Sequence, residues 1–480
     1  MKQLIFSIVS IILLCITFVA VKAQSTNKNY IVATVPTVEV IDPATLTEAN
    51  SFSAIQYFDG LGRPIETVQK AQSSIDGTTW RDLVNLTEYD GMGREYRQWL
   101  FAPVSTSNGG AYVNPTNITG ASPRSYFAYD MKPYSTTNYE SSPLNRVTGK
   151  YGPGSSWYAG KKNDSILYLT NIGDVANFSV NSSNQLTRDA NNYAANTLYK
   201  TQFMDEDGKL TFEYKDISGQ VVMKQNSTDA VKTYYVYNDL GQLCYVLPPI
   251  ASDSLPSSGD IKDNNGVLQR YAYIYKYDER GNNVVKRLPG CDSICMVYDK
   301  ANRLIMSQDG NQRLKNKWTV TKYDVFGRVL YTGLLTATGA QNLKYFKDLL
   351  YNQVITETYD VTNTFYNTGY TCTGSLTGII PLTVNYYDTY KFLKPLVADG
   401  IDTTILTYDI SMEPVYGIRY KDAKGLLTGT RTYILDNTIS KYLPQPFIMM
   451  IADRLYNHEV RINWVVMKLP VTNTTLQVRC

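Results

Sequence analysis

The chain has 480 residues, more than one ordinary domain needs and enough for two or three, or for one extended repeat array. Charged residues make up 19% and apolar residues 43%, which excludes a disordered chain. The formal net charge of +3 gives no reason to expect nucleic acid or an anionic membrane as partner. Tyrosine stands out, at 40 residues against 14 Phe and 5 Trp. Its bulk favours strands and its hydroxyl tolerates water, so the composition points to sheet with much amphipathic surface.

In chain order, the N-terminus reads first as a secretory signal. Lys2 precedes an uncharged apolar run over residues 4–21, and Val21-Lys22-Ala23 offers a cleavage site before Gln24. A membrane anchor is the rival reading, because the run is about long enough to span a bilayer. The run starts at the very N-terminus and ends at Ala23, which favours the signal. Cys15 follows Leu14 rather than a small residue, which argues against a lipid anchor. No later stretch is apolar enough to form a stable transmembrane segment. Removal of residues 1–23 takes away Lys2 and Lys22 and no acid, leaving +1.

From residue 57 a motif begins to repeat. "YFDGLGRPIE" at 57–66 is followed by "YDGMGREYRQ" at 89–98, and then by "FMDEDGKLTF" at 203–212 and "YKDISGQVVM" at 214–223. Further copies are "YNDLGQLCYV" at 237–246, "YDERGNNVVK" at 277–286, "YDKANRLIMS" at 298–307 and "YDVFGRVLYT" at 323–332, with a weaker one at 420–429. An Asp or Asn at the first turn position accepts backbone N–H groups, and Gly three residues on takes the left-handed conformation. That pattern predicts a type I turn with a glycine bulge, joining two alternating strands into a β-hairpin. The residues assigned to these turns are Asp59, Gly62, Arg63, Asp90, Gly93, Arg94, Asp216, Gly219, Asp239, Gly241, Asp278, Gly281, Asp299, Asp324, Gly327 and Arg328.

Between the copies, apolar spacing predicts short helices over 189–200 and 342–352. Residues 152–157 read as a loop whose Trp157 docks on the sheet, and 105–117 as a polar, exposed insertion. Past residue 443 the repeat punctuation stops, and the tail carries the only histidine, His458. Read two nucleotides later, the codons of Met449 and Met450 give Asp-Asp, which suggests a frameshift near residues 443–444. A genuine short C-terminal segment is the alternative, and resequencing distinguishes the two.

The ordered set of motifs resembles secreted bacterial RHS/YD-repeat proteins. Residues 57–73 and 89–95 are similar to the N-terminal region of that family, and so are "ESSPLNRVTGKYGPGSSW" at 140–157 and the stretches at 199–224, 235–249, 296–313 and 322–333. The resemblance implies a mainly β protein, a YD-repeat hairpin array forming a spiralling sheet with a few short helices, part of a hollow RHS-type shell. In complete relatives a C-terminal RHS core closes the shell around an effector or toxin. The closing motifs are absent here, so the chain looks like the N-terminal portion, ending before the core. The layout expected is a signal peptide over 1–23, an N-terminal β-rich domain over 24–160, the repeat sheet over 161–443, and an aberrant tail over 444–480.

Chemistry is limited by the residues at hand. Apart from His458 the chain has no histidine, which removes His-dependent nucleophile pairs and the usual zinc sites. Outside the leader lie Cys244, Cys291, Cys295, Cys372 and Cys480, an odd, sparse set in which Cys291 and Cys295 are close enough in sequence to bridge. Asp205 and Asp207 form a weak calcium candidate, since a full loop wants an oxygen ligand where Phe203 stands. No cofactor is implied. The turn Asp and Arg residues are read as structural, and the leading expectation is a non-enzymatic scaffold on the cell surface or outside the cell. A Tyr-rich face holding a cell-surface glycan is the alternative, and a two-carboxylate hydrolase a third reading without a specific acid pair.

Overall fold

Hairpin turns spaced this closely require antiparallel neighbours, and the computed structural model pairs its strands in that way. It describes residues 28–37, 46–47, 49–74, 79–104, 109–120, 125–226, 231–339, 341–360, 362, 365–372, 374, 376–389, 391–392, 423–433, 442–451 and 464–468. The fold is mainly β, with a few short helices. The chain divides into two compact units, residues 1–175 with 191–232, and residues 176–190 with 233–480.

The first unit opens with β1 (Asn29–Pro36), β2 (Ser51–Phe58), β3 (Pro64–Ser74), β4 (Trp80–Tyr89) and β5 (Glu95–Trp99). β6 (Ala102–Pro103) lies on β4, and β7 (Tyr134–Tyr139), β8 (Val147–Tyr151) and β9 (Asp164–Thr170) follow β5. After β10 (Ala176–Val180) and β11 (Leu186–Asn192), the unit resumes with β12 (Tyr199–Met204) on β9, then β13 (Leu210–Lys215) and β14 (Val221–Asn226).

Register explains the core of this unit. The pairs Tyr30↔Tyr57, Tyr57↔Glu66 and Glu66↔Leu86 share a face with Val32↔Ile55, Ile55↔Val68 and Val68↔Val84. That face is buried beneath Val113 and Ile118. Each fully buried Ile or Val contributes about 1.5–3 kcal/mol relative to exposure.

Several expectations change here. The 105–117 segment, where described, is not an exposed insertion: Gly110 and Val113 are buried, and a short helix, Pro115–Thr119, follows, capped by Asn114. Its apolar Val113 and Ile118 find a sheet face to cover, which outweighs the polar composition around them. No helix forms over 189–200. β11 and β12 flank a turn in which Asn171 Oδ1 accepts the N–H groups of Thr197 and Leu198, so strand pairing overrides the local apolar spacing. Trp157 sits on a short helix, Ser155–Ala159, and is 39% exposed, so it does not dock as expected. Asp130 holds that helix instead, accepting from Ser155 N and Oγ. β8 and β9 pair through Gly149↔Ser165 and Lys150↔Asp164.

The second unit is a longer succession: β15 (Lys232–Tyr237), β16 (Leu243–Leu247), β18 (Tyr273–Tyr277), β19 (Asn283–Arg287), β20 (Ile294–Tyr298), β21 (Leu304–Gln308), β22 (Lys317–Tyr323), β23 (Val329–Thr336) and β24 (Ile380–Asp388). β25 (Ala423–Tyr433), β26 (Tyr442–Ile451) and β27 (Trp464–Lys468) extend it. β17 (Gly259–Ile261) joins β10 and β11 in a separate three-stranded sheet. β26 crosses residue 443, where the sequence texture changes, and it pairs there with β25.

The helix expected over 342–352 is present as Leu343–Leu350, with Asn342 Oδ1 accepting from Tyr345 N. Its Phe346 meets Trp318 edge-on at 5.2 Å between ring centroids, and Leu350 is buried beside them. Further along, Tyr386 lies flat against Phe392 at 4.3 Å and against Tyr370 at 5.5 Å.

Candidate functional site: the clasped turns

Each repeat turn is built around its acid. In the first, Gly62 N donates to Asp59 O and Asp59 N to Arg63 O, while Gly62 has φ 77°. Asp59 Oδ1 accepts from Leu61 N (2.8 Å) and Arg63 N (2.9 Å), and Oδ2 accepts from Arg63 Nε (2.7 Å). The register slips by one residue at the end of the strand, between Tyr57 and Phe58, as a bulge requires. Asp90, Gly93 and Arg94 repeat this arrangement, and so do Asp324, Gly327 and Arg328. Asp278 receives Arg280 N and Asn282 N, and Asp216 receives Gln220 N, with Gly281 and Gly219 at positive φ.

Two turns depart from the assignment. At 237–242 the acceptor is Asn238, which takes Leu240 N and Gln242 N, and not Asp239. Asn238 immediately follows the tyrosine, the position occupied by Asp90, Asp278, Asp299 and Asp324 in their copies, and Gly241 keeps the positive φ. At Asp299 no glycine follows, and Asn302 takes φ 57° in its place. Asp299 is fully buried and accepts from Ala301 N, Arg303 N and Arg303 Nε.

At several of the turns, what joins one to the next is a tyrosine from the following copy. Arg63 lies over the Tyr89 ring at 4.5 Å, and Tyr89 OH donates to Pro64 O, the carbonyl just after that arginine. Arg94 lies over Tyr139 at 4.6 Å, and Tyr139 OH donates to Glu95 O. In the second unit the same clasp links Arg303 with Tyr323, whose OH donates to Leu304 O. It also links Arg328 with Tyr387, whose OH donates to Val329 O. Gln242 replaces the arginine once, and Tyr277 OH still reaches Leu243 O. Ring stacking beneath a guanidinium and a neutral hydrogen bond are each worth about 1 kcal/mol.

Sequence reading missed one complete clasp. Glu140 accepts Arg146 Nε (2.8 Å) and Nη2 (2.7 Å), Asn145 has φ 55°, Arg146 lies over Tyr168, and Tyr168 OH donates to Val147 O. The signal was a tyrosine followed by an acid, then Asn-Arg before a strand, obscured by a longer turn. Asp388 was missed as well. It takes Arg328 Nη1 and Nη2 at 2.9 and 2.7 Å, a two-pronged pair between successive turns.

Electrostatics follow this geometry. Backbone N–H groups and the neighbouring guanidinium hold the Asp59 and Asp90 carboxyls below the usual range. Hydrogen bonds from Arg146 bring Glu140 down to about 2. Burial raises the hydroxyls of Tyr89, Tyr139, Tyr323 and Tyr387. The bonds to Asp388 raise Arg328 and depress Asp388. These carboxylates already receive several donors each, and the tyrosines spend both a ring face and a hydroxyl on the preceding turn. The cluster suits mechanical linkage.

Other candidates resolve differently. Asp205 Oδ1 accepts Asp207 N and Lys209 N as an ordinary turn acid. Among the described residues no group of His, Cys, Asp and Glu is arranged to hold a metal. Cys291 and Cys295 are free thiols, not a bridge. Cys291 lies exposed in the loop ahead of β20, while Cys295 is on that strand, opposite Val285 and beside Arg313 Nη2. An acid pair does exist: Asp164 is raised by burial and by neighbouring Glu206, but it sits at an exposed hairpin end. In the second unit Lys322 and Glu357 pair at 2.5 Å with no exposed side-chain surface, so no solute reaches them.

A family described as a domain of unknown function, DUF6443, matches residues 31–170, which include the clasps of Arg63, Arg94 and Arg146. No curated protein matches the chain in sequence. Among solved structures, the TcdB2-TccC3 crystal structure is similar at 13% identity and a TM-score of 0.38, over 84% of this chain and 18% of that one. The Photorhabdus luminescens Tc holotoxin pore is similar at 13% identity and a TM-score of 0.40, over 88% of this chain and 20% of that one. The chain thus spans about a fifth of the length of these structures.

Proposed function

We propose that this chain is a non-catalytic, exported scaffold, a section of β-wall of the RHS/YD-repeat kind that in intact relatives encloses or displays a C-terminal effector. The observation that carries the proposal is the clasp, in which the motif's Tyr, Asp and Arg are consumed in holding one hairpin turn to the next. Residues so engaged favour a structural duty for the motif over a chemical one. Export rests on residues 1–23, and N-terminal sequencing of secreted protein is expected to begin at Gln24. The enclosing role is tested by co-expressing the chain with the polypeptide encoded downstream and challenging both with protease. An enclosed effector survives until the wall unfolds; digestion at the rate of the naked effector contradicts the proposal.

A further inference from the structure

The face buried beneath Val113 and Ile118 contains two carboxylates that the turn clasps do not use. Asp82 on β4 is fully buried and occupied, with Oδ1 accepting Ala71 N (2.9 Å) and Oδ2 accepting Gly110 N (2.9 Å). Glu66 on β3 is 1% exposed. Its Oε1 accepts Val113 N at 2.8 Å, while Oε2 is buried with no hydrogen-bond partner among the described residues. Tyr57 OH donates to Gly110 O at 2.7 Å, so residues 110–113 form a strap pinned to the sheet at three points.

A carboxylate with one donor in an apolar face is unstable as an anion, and a neutral carboxyl is the form this pocket suits. The titratable and charged groups packed on this face include Tyr30 on β1, Tyr57 on β2, Asp82 on β4, Tyr134 on β7, Tyr158, Tyr112 on the strap and Lys28 ahead of β1. Lys28 is the cation that acts on Glu66, and its Nζ lies over the Tyr112 ring at 4.7 Å.

We propose that Glu66 is a proton-controlled latch for this strap: protonated, it lets residues 110–118 seal the sheet face, and its ionisation favours release of the strap to water. Burial raises the Glu66 carboxyl from 4.5 to about 8, against the smaller opposing effects of Val113 N–H and Lys28. The sign follows from linkage. A carboxyl raised in the closed form favours closure fully below 4.5, and that advantage is lost as pH rises to about 8. The strap's opening constant therefore rises up to tenfold per pH unit across that window and levels off above it.

The test is amide hydrogen exchange at Gly110 and Val113 in the full chain, corrected for intrinsic exchange rate, from pH 5 to pH 9, for wild type and Glu66→Gln. The amide keeps the acceptor for Val113 N–H but cannot ionise. We expect opening to rise with pH and then plateau near pH 8 in wild type, and to stay flat in Glu66→Gln. Parallel pH profiles in the two proteins overturn the proposal. If the variant does not fold, a carbon-13 titration of the Glu66 carboxyl in wild type decides: a midpoint near 8 supports the latch, and one below 6 overturns it.

Discussion

At the scale of single residues, the motif's letters have separate physical duties. Asp59, Asp90 and Asp324 use one carboxylate oxygen to gather two backbone N–H groups and the other to orient an arginine. These duties were legible in the sequence because turn chemistry is local. The partner of each arginine was not, since it is supplied by a tyrosine some tens of residues later. Removing one hydroxyl should therefore cost little but measurably: Tyr323→Phe loses the bond to Leu304 O and about 1 kcal/mol, read from the denaturant midpoint. Glu140 gives a pH prediction. Its carboxyl is depressed from 4.5 to about 2, so its contribution to stability is present above 4.5 and lost as pH falls through about 2. A carbon-13 titration is expected to show its midpoint near 2, and a midpoint near 4.5 would mean that Arg146 does not hold it.

At the scale of elements, hairpins repeat because glycine or asparagine can turn left-handed where the bulge needs it. Gly327 has φ 81° with open space around its α-carbon, so Gly327→Ala meets no clash and the penalty is purely conformational. We predict a loss of about 1–2 kcal/mol, measured by chemical denaturation. The segments between hairpins were harder to read. The strap over 110–118 looks polar, yet it is fixed by buried carboxylates on other strands, and Asn171 directs the turn before β12 from a distance. The helix Leu343–Leu350 was readable because its apolar spacing and its Asn342 cap lie within one short stretch. Inside the second unit, Glu357→Gln should cost about 3–5 kcal/mol by removing the charge that faces buried Lys322, whereas replacing both by apolar residues of similar size should restore most of it. Equal losses in the single and double variants would show that the pair itself stabilises the core.

At the scale of each unit, clasps convert separate hairpins into a row in which neighbours support neighbours, so stability should behave as a sum of local terms and nearest-neighbour terms. The row also places exposed apolar side chains at several turn tips: Leu61, Met92 and Leu144 in the first unit, Leu240 and Phe326 in the second. Sequence showed that an array exists, since the turns recur in order; it did not show how the array is fastened. That fastening is the central claim, and a double-mutant cycle between Arg328 and Tyr387 tests it most directly, using Arg328→Gln and Tyr387→Leu and following the unfolding of the second unit. The clasp predicts a coupling energy of about 1 kcal/mol for this pair, whose guanidinium and ring are 4.5 Å apart, and near zero for Arg303 with Tyr387 as a control. Strictly additive effects of Arg328→Gln and Tyr387→Leu would contradict it.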